Sequence, residues 1–433
     1  MSLLFSRNTK VYIEKDSRIW EVPVLDGFSF SQGTNNTEVT LNEAVDTNGK
    51  SKRSRKLFND SYAPAEWSLS TYIRPFASVP GATDGWQASG NNADIHAVEE
   101  VLWACLVSKP TFTPSVASTS DASWSKGIIN ETGSMTVGFK DSEIPDLGTF
   151  NLYFESPTTS GGLKRYKLTG CCVNEASVDF DIDGIATIAW SGNSSEVIDF
   201  TGSTKEQATL PDVDSDSPAQ TAEGSAYAVG DVWLDSDDGY RLYVMTNVGS
   251  GTEAATPYVN EAITDTTNFI RNRLTVLTVT TAADPDNDGT DEMQTSYSLT
   301  LTGGNVTFSN NNTYITPEEL GIVNVPIGHV TGTRSVSGSL TCYLTKDTSA
   351  VNASADFFED LRSITNVVTN SFALTFKIGG ASATPRLEIS MPTCHVEIPT
   401  HSIEDVISLE TNFMALPSTI DGTNEATLTY HAS

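Results

Sequence analysis

Hydrophobic and polar residues alternate along most of this chain in short runs, with a period of two rather than 3.6. In Trp67-Ser68-Leu69-Ser70-Thr71-Tyr72-Ile73, positions 67, 69, 71 and 73 share one face while Ser68, Ser70 and Tyr72 share the other. That pattern predicts a half-buried strand. Runs 9–14 and 18–24 predict an opening hairpin around Lys15-Asp16-Ser17, and 134–139 and 150–155 predict two more strands. Residues 163–175 and 177–191 predict a further pair. Helical spacing is confined to two places. Ile95, Val98, Leu102, Cys105 and Leu106 recur as one face of a helix over 94–108, with Asp94 as N-cap and Pro110 beyond its end. Phe357, Phe358, Leu361, Ile364 and Val367 mark a second helix over 354–367.

The pattern also returns. Ser68-Leu69-Ser70-Thr71-Tyr72-Ile73 is echoed by Ser339-Leu340-Thr341-Cys342-Tyr343-Leu344. The segment starting at Arg7 is echoed from Arg271, and 28–40 by 306–316. The closing strands around Cys171 to Trp190 are echoed by Cys394-His395-Val396 and 403–414. Echoes in one order, with a helix at the same place, predict a tandem duplication of a β-rich domain carrying one packed helix. The expected division is 1–200, then 201–268, then 269–433. The middle stretch is strongly acidic, with only Lys205 and Arg241 as cations up to residue 265, and reads as linkers around a small β-rich inserted module.

Charge narrows the function. The chain has 433 residues, with 55 acidic against 25 basic side chains and a formal charge of −30. Such a surface repels phosphates, which argues against sequence-specific DNA binding but not against a surface past which DNA slides. No apolar run reaches the roughly 18 residues of a membrane span. The first residues lack the layout of a secretory signal, so synthesis in a cytoplasm is expected. The five cysteines read as buried free thiols rather than a disulfide framework.

Three groups of residues carry candidate chemistry. Asp284, Asp286 and Asp288 stand at alternate positions before Gly289, the spacing of a hard-cation loop. Thr295 occupies the place of the bidentate glutamate, so the segment reads either as a calcium loop or as a solvated turn between strands 275–281 and 295–301. Lys52, Arg53, Arg55 and Lys56 crowd a loop over 45–56 that has no core to join. It reads as a contact for an acidic neighbouring subunit, a solvated loop or a nucleic-acid contact, the last without an aromatic platform for bases. Trp233, Tyr240 and Tyr243 in the inserted module read either as a sugar-stacking surface, as in small chitin- or cellulose-binding modules, or as the core of a tiny domain. No nucleophile elbow, phosphate loop, dinucleotide fingerprint or histidine metal spacing occurs.

One family matches the order of these features. The hairpin, the Asn-rich turn at 32–36, Asn42-Glu43-Ala44, the charged loop, Phe58-Asn59-Asp60-Ser61 and Ala65-Glu66-Trp67-Ser68 resemble the tail tube (major tail) protein of long-tailed siphophages. Residues 308–316, Thr331-Gly332, 341–344 and 392–417 extend the resemblance, which is closest to the subfamily with two fused tube domains per subunit. It implies a mainly β fold of two duplicated tail-tube β-sandwich domains, each with one helix, whose inner strands form a ring β-barrel. It implies a structural virion protein without catalysis or cofactor. Three subunits would make a pseudo-hexameric ring, and stacked rings a hollow tube that conducts double-stranded DNA during ejection. Implied partners are further copies of the chain, the tape measure protein and other tail proteins, with host glycans as a candidate contact of the insert. A virion or secreted-type carbohydrate-binding or cleaving β-sandwich protein is the alternative, disfavoured by the duplication and the missing export signal.

Overall fold

The computed structural model describes residues 3–432 with interruptions, chiefly 41–46, 51–54, 79–93, 109–126, 140–146, 158–162, 285–288, 347–352, 364–371 and most of 200–267. The chain opens with β1 (Lys10–Lys15), β2 (Arg18–Glu21) and β3 (Ser29–Ser31). A projecting arm follows, β4 (Thr34–Thr40) paired with β5 (Arg55–Tyr62), and leads into β6 (Ala65–Tyr72). Next come β7 (Pro75–Ala77), β8 (Ile95–Ala97), α1 (Glu100–Val107), β9 (Ile128–Glu131) and β10 (Ser134–Gly138). The first half closes with β11 (Phe150–Pro157), β12 (Leu163–Asp181), β13 (Thr187–Ser194) and β14 (Glu196–Asp199). A separate small sheet holds β15 (Asp212–Val213), β16 (Val232–Asp235), β17 (Arg241–Met245) and β18 (Ala254–Ala255).

The second half starts with β19 (Val276–Thr280), β20 (Ser296–Leu299) and β21 (Leu301–Ser309). A short hairpin, β22 (Thr313–Ile315) with β23 (Gly328–Val330), precedes β24 (Ser335–Tyr343) and α2 (Ser354–Ser363). The chain ends with β25 (Phe372–Ile378), β26 (Arg386–Val396), β27 (Thr400–Ile403), β28 (Ile407–Ala415) and β29 (Thr427–His431).

These strands make one long sheet and two cover sheets. The long sheet runs β3-β6-β13-β12-β21-β24-β28-β27, antiparallel throughout. The first cover sheet is β2-β1-β11-β12-β14, and β12 serves both layers because it bends at a bulge between Val173 and Glu175. The second cover sheet is β20-β19-β25-β26-β29-β10-β9. One hydrophobic core fills the space between the layers. Trp67 on β6 meets Phe150 on β11, and Phe376 on β25 meets Phe413 on β28.

The register repeats along with the order. Val11 faces Phe154 as Leu277 faces Phe376. The bulge that puts Phe150 opposite Cys171 returns with Phe372 opposite Cys394. The Cys171 thiol donates to the Leu168 carbonyl and the Cys394 thiol to the Met391 carbonyl, at 3.5 and 3.7 Å. All five cysteines are free and buried.

Several sequence expectations need correction. The first helix starts at Glu100, because residues 95–97 form β8, where the Asn130 side-chain amide holds the Ile95 carbonyl at 2.9 Å. Every residue of α1 is buried, so it has no solvent face. It is wedged between layers, with Trp103 against Trp190 and Phe308. The predicted break at 175–177 does not exist; β12 runs on to Asp181. Arg55 and Lys56 lie on strand β5, not in a loop. Two echoes are displaced by two residues. Ser29 faces Ser68 as Asn305 faces Ser339, so Phe30, not Phe28, corresponds to Val306. The offset set by Val11 and Leu277 likewise makes Phe5, not Arg7, the counterpart of Arg271.

Candidate functional site

The functional feature is a face, not a pocket. Along the long sheet every second residue points away from the core, and these residues are nearly all hydrophilic. They are Ser29 and Ser31; Glu66, Ser68, Ser70 and Tyr72; Ser191 and Asn193; and Glu175, Ser177, Asp179 and Asp181. The second half adds Asn305 and Thr307, then Ser335, Ser337, Ser339 and Thr341, then Glu410 and Asn412. The registers carry this alternation unbroken across the junction of the halves, where Ser177 faces Thr307 and Asp179 faces Asn305. Among the described residues, this face carries no Lys or Arg, and the end of β26 sets His395 beside it, paired with Met414 of β28. A surface rich in hydroxyls and carboxylates offers a phosphate chain hydrogen bonds but no cation to hold it.

Two shallow hollows lie on this face at equivalent places. One is lined by Ser29, Glu66, Ser68, Ser191 and Asn193, the other by Asn305, Ser337, Ser339, His395, Glu397 and Asn412. Under each, a glycine lies beneath an aromatic ring on the neighbouring strand. Gly192 faces Trp67, and Gly338 faces Phe413. A Cβ at Gly192 would come 2.0 Å from the Cys172 carbonyl oxygen and 2.6 Å from the Trp67 ring. One at Gly338 would come 2.1 Å from the Asn305 oxygen and 2.7 Å from the Phe413 ring.

Among the described residues, the long sheet ends in unclosed edges, at β3 on one side and β27 on the other. All four residues of β27 are exposed, and so are Ser29 and Ser31. The arm presents exposed Leu57 and Phe58 beside exposed Arg55 and Lys56. Arg55 meets Glu38 on the same hairpin at 3.3 Å, an exposed pair of little energetic weight. Lys52 and Arg53 lie outside the described residues.

Of the other candidates, only some residues lie among those described. The Asp284 carboxylate accepts the Gly289 amide at 2.9 Å; Asp286 and Asp288 lie outside the described residues. Among the described residues no group of acidic, His or Cys side chains is placed to hold a metal ion. Trp233 and Tyr243 are backbone register partners in the β16–β17 pair, and Tyr240 lies outside the described residues. Leu242 of that hairpin is buried with Tyr12, Ile19 and Tyr153, which fastens the small sheet to the first cover sheet.

A buried polar network that sequence reasoning missed ties α1 to the C-terminal strand. Trp103 Nε1 donates to the Tyr430 hydroxyl at 2.6 Å, and that hydroxyl donates to Glu99 at 3.0 Å. Burial pushes Glu99 up to about 7 and Tyr430 well above its usual range. His96 and Asn130 reach Glu100 at 3.1 and 3.2 Å. The residues are far apart in sequence, and nothing local signals their meeting.

The chain is similar to a siphophage tail tube protein, a structural component of the virion tail. It is 29% identical over 436 residues to tail tube protein pb6 of Escherichia phage T5, spanning 99% of this chain and 76% of that protein. No family model matches the chain.

Proposed function

We propose that copies of this subunit join edge to edge into a closed ring, and that rings stack into a hollow tube lined by the polar face. The carrying observation is the long sheet, in which two repeats of the same strand order are already joined at β12 and β21 and both outer edges are open among the described residues. A third-turn rotation per copy closes three chains, and thus six repeats, without leaving an edge. The reading takes 1–200 and 269–433 as two tube domains with 201–268 inserted between them; β10 crosses this division to pair with β29. Double-stranded DNA would pass the acidic, hydroxyl-rich bore without sequence-specific binding. The arm, with Lys52, Arg53, Arg55 and Lys56, would contact an acidic neighbouring ring, and the tape measure and other tail proteins would meet the assembled tube. Electron microscopy of the purified chain tests this: rings or tubes with threefold symmetry support it, and a chain that stays monomeric at high concentration contradicts it.

A further inference from the structure

The junction between repeats has a second element besides paired strands. The segment before β19 clamps the turn between β12 and β13. Arg271 forms a bridge with Ile185, the Ala186 amide donates to the Ile270 carbonyl at 2.9 Å, and the Asn272 amide donates to the Gly184 carbonyl at 3.2 Å. Phe269 stands edge-on to Tyr72 with ring centroids 5.3 Å apart, under the Arg74 guanidinium. Ile270 is 1% exposed.

Each participant has a counterpart that lacks this cover among the described residues, although Leu4 itself takes part in a β-bridge. A 3-10 turn at Ser6–Asn8 precedes β1 as one at Asn272–Leu274 precedes β19. Their closing bonds match, Thr9 amide to Ser6 carbonyl at 2.9 Å and Thr275 amide to Asn272 carbonyl at 2.8 Å. Leu3, Leu4, Phe5 and Ser6 therefore correspond to Phe269, Ile270, Arg271 and Asn272. On the receiving side, the Ile73 amide donates to the Ala186 carbonyl as the Leu344 amide donates to the Ile407 carbonyl. Asp405, Val406 and Ile407 thus correspond to Gly184, Ile185 and Ala186, and Tyr343 to Tyr72. Both uncovered sides are apolar. Leu3 is 56% exposed and Phe5 47%, while Val406 is 58% exposed and Tyr343 38%.

We propose that the segment from Leu3 to Ser6 of one copy is a latch that seats on the 405–407 turn of the next copy. Phe5 pairs with Val406, the Leu4 carbonyl accepts the Ile407 amide, and Leu3 covers Tyr343. The same template sets Ser31 of β3 opposite Thr400 of β27, and Ser29 opposite Ser402. β3 and β27 stand at opposite edges of the sheet, so the latch forms between copies and rests on the ring reading above. It predicts that apolar surface exposed in the isolated chain is buried by assembly.

The test is a cysteine pair. Bridged antiparallel residues have Cα atoms about 4.5–5.5 Å apart, within disulfide range, and the native cysteines are buried. Assembled Phe5→Cys/Val406→Cys protein, mildly oxidised, is expected to give intermolecular bands ending at the trimer, with none from either single variant. Leu3→Ser/Leu4→Ser protein is expected to melt near the parent yet fail to assemble. Rings of parental chain without the cross-link, or rings of the serine variant formed at the parental rate, overturn the latch alone. A parental chain that forms no ring overturns the ring reading and the latch with it.

Discussion

The two repeats solve one packing problem in mirrored ways. In the first, β6 supplies the ring of Trp67 and β13 supplies Gly192; in the second, β24 supplies Gly338 and β28 supplies the ring of Phe413. The strands correspond, so the large and small partners have changed places while their sum is kept. A sheet core needs volume filled and close backbone approach, and is indifferent to which strand provides the bulk. The arms differ in the opposite sense. The first is long and basic at Arg55 and Lys56, whereas the segment after β22 carries Glu318 and Glu319 with exposed Leu320, Ile322 and Ile327. The paired ring and glycine under the core are kept between repeats, and the exposed arms have diverged.

The largest effect should come from filling either glycine. Gly192→Val or Gly338→Val drives a branched side chain into a carbonyl and a ring, and both are expected to leave the chain insoluble on expression. Trp67→Gly empties the first pair and should cost about 3–5 kcal/mol in chemical unfolding. Adding Gly192→Phe supplies a ring but leaves its Cβ 2.0 Å from the Cys172 carbonyl oxygen, so the double variant should stay no more stable than Trp67→Gly; recovery of at least half of the loss would show that the first repeat's backbone can shift to the second repeat's arrangement.

Reversal of the arm comes next. Changing Lys52, Arg53 and Arg55 to Glu is expected to block tube formation in sedimentation assays while circular dichroism and melting stay parental. Equal loss from Leu320→Asp would show that both arms work in stacking, whereas full assembly of the charge-reversed chain would remove the basic arm from the interface.

A smaller effect concerns pH. Glu99 titrates near 7 in the fold because burial disfavours its charge. Its folded value lies above the unfolded one, so its favourable contribution is complete below about pH 4.5 and is lost as pH rises through about 7. Glu99→Gln should therefore melt a few degrees above the parent at pH 8 and lose that advantage at pH 5. An advantage unchanged between the two would contradict the assignment. The smallest effect is on the polar face: Ser70→Lys should leave folding and assembly intact but make tubes retain labelled duplex DNA at low salt, an association that salt removes.

Much of this was legible in the sequence. Alternation placed Trp67, Leu69 and Thr71 inside and Ser68, Ser70 and Tyr72 outside, and the echo at 339–344 lies in the same register. Cys171 and Cys394 were matched correctly because each marks the same bulge. The two displaced echoes fail for a physical reason: sliding a strand by two residues leaves every side chain on its original face, so a period-two pattern cannot detect it. The uninterrupted β12 was missed by a break predicted at Ala176, which instead pairs with Trp190 on one side and Phe308 on the other. Nearby, the Asn174 carbonyl and side-chain oxygens accept the Asn310 and Asn312 amides at 2.9 and 2.7 Å, a contact across 136 residues or more of chain. Residues 95–97 carry helical spacing but become a strand because distant Asn130 claims their backbone.

The central claim is that the long sheet continues from copy to copy. Electron cryomicroscopy of assembled tubes tests it most directly by counting chains per ring and locating the sheet. The expected result is three chains, the Ser and Asp/Glu face toward the bore, and β3 of each copy against β27 of the next. Six chains per ring, or that face turned outward, would contradict the account.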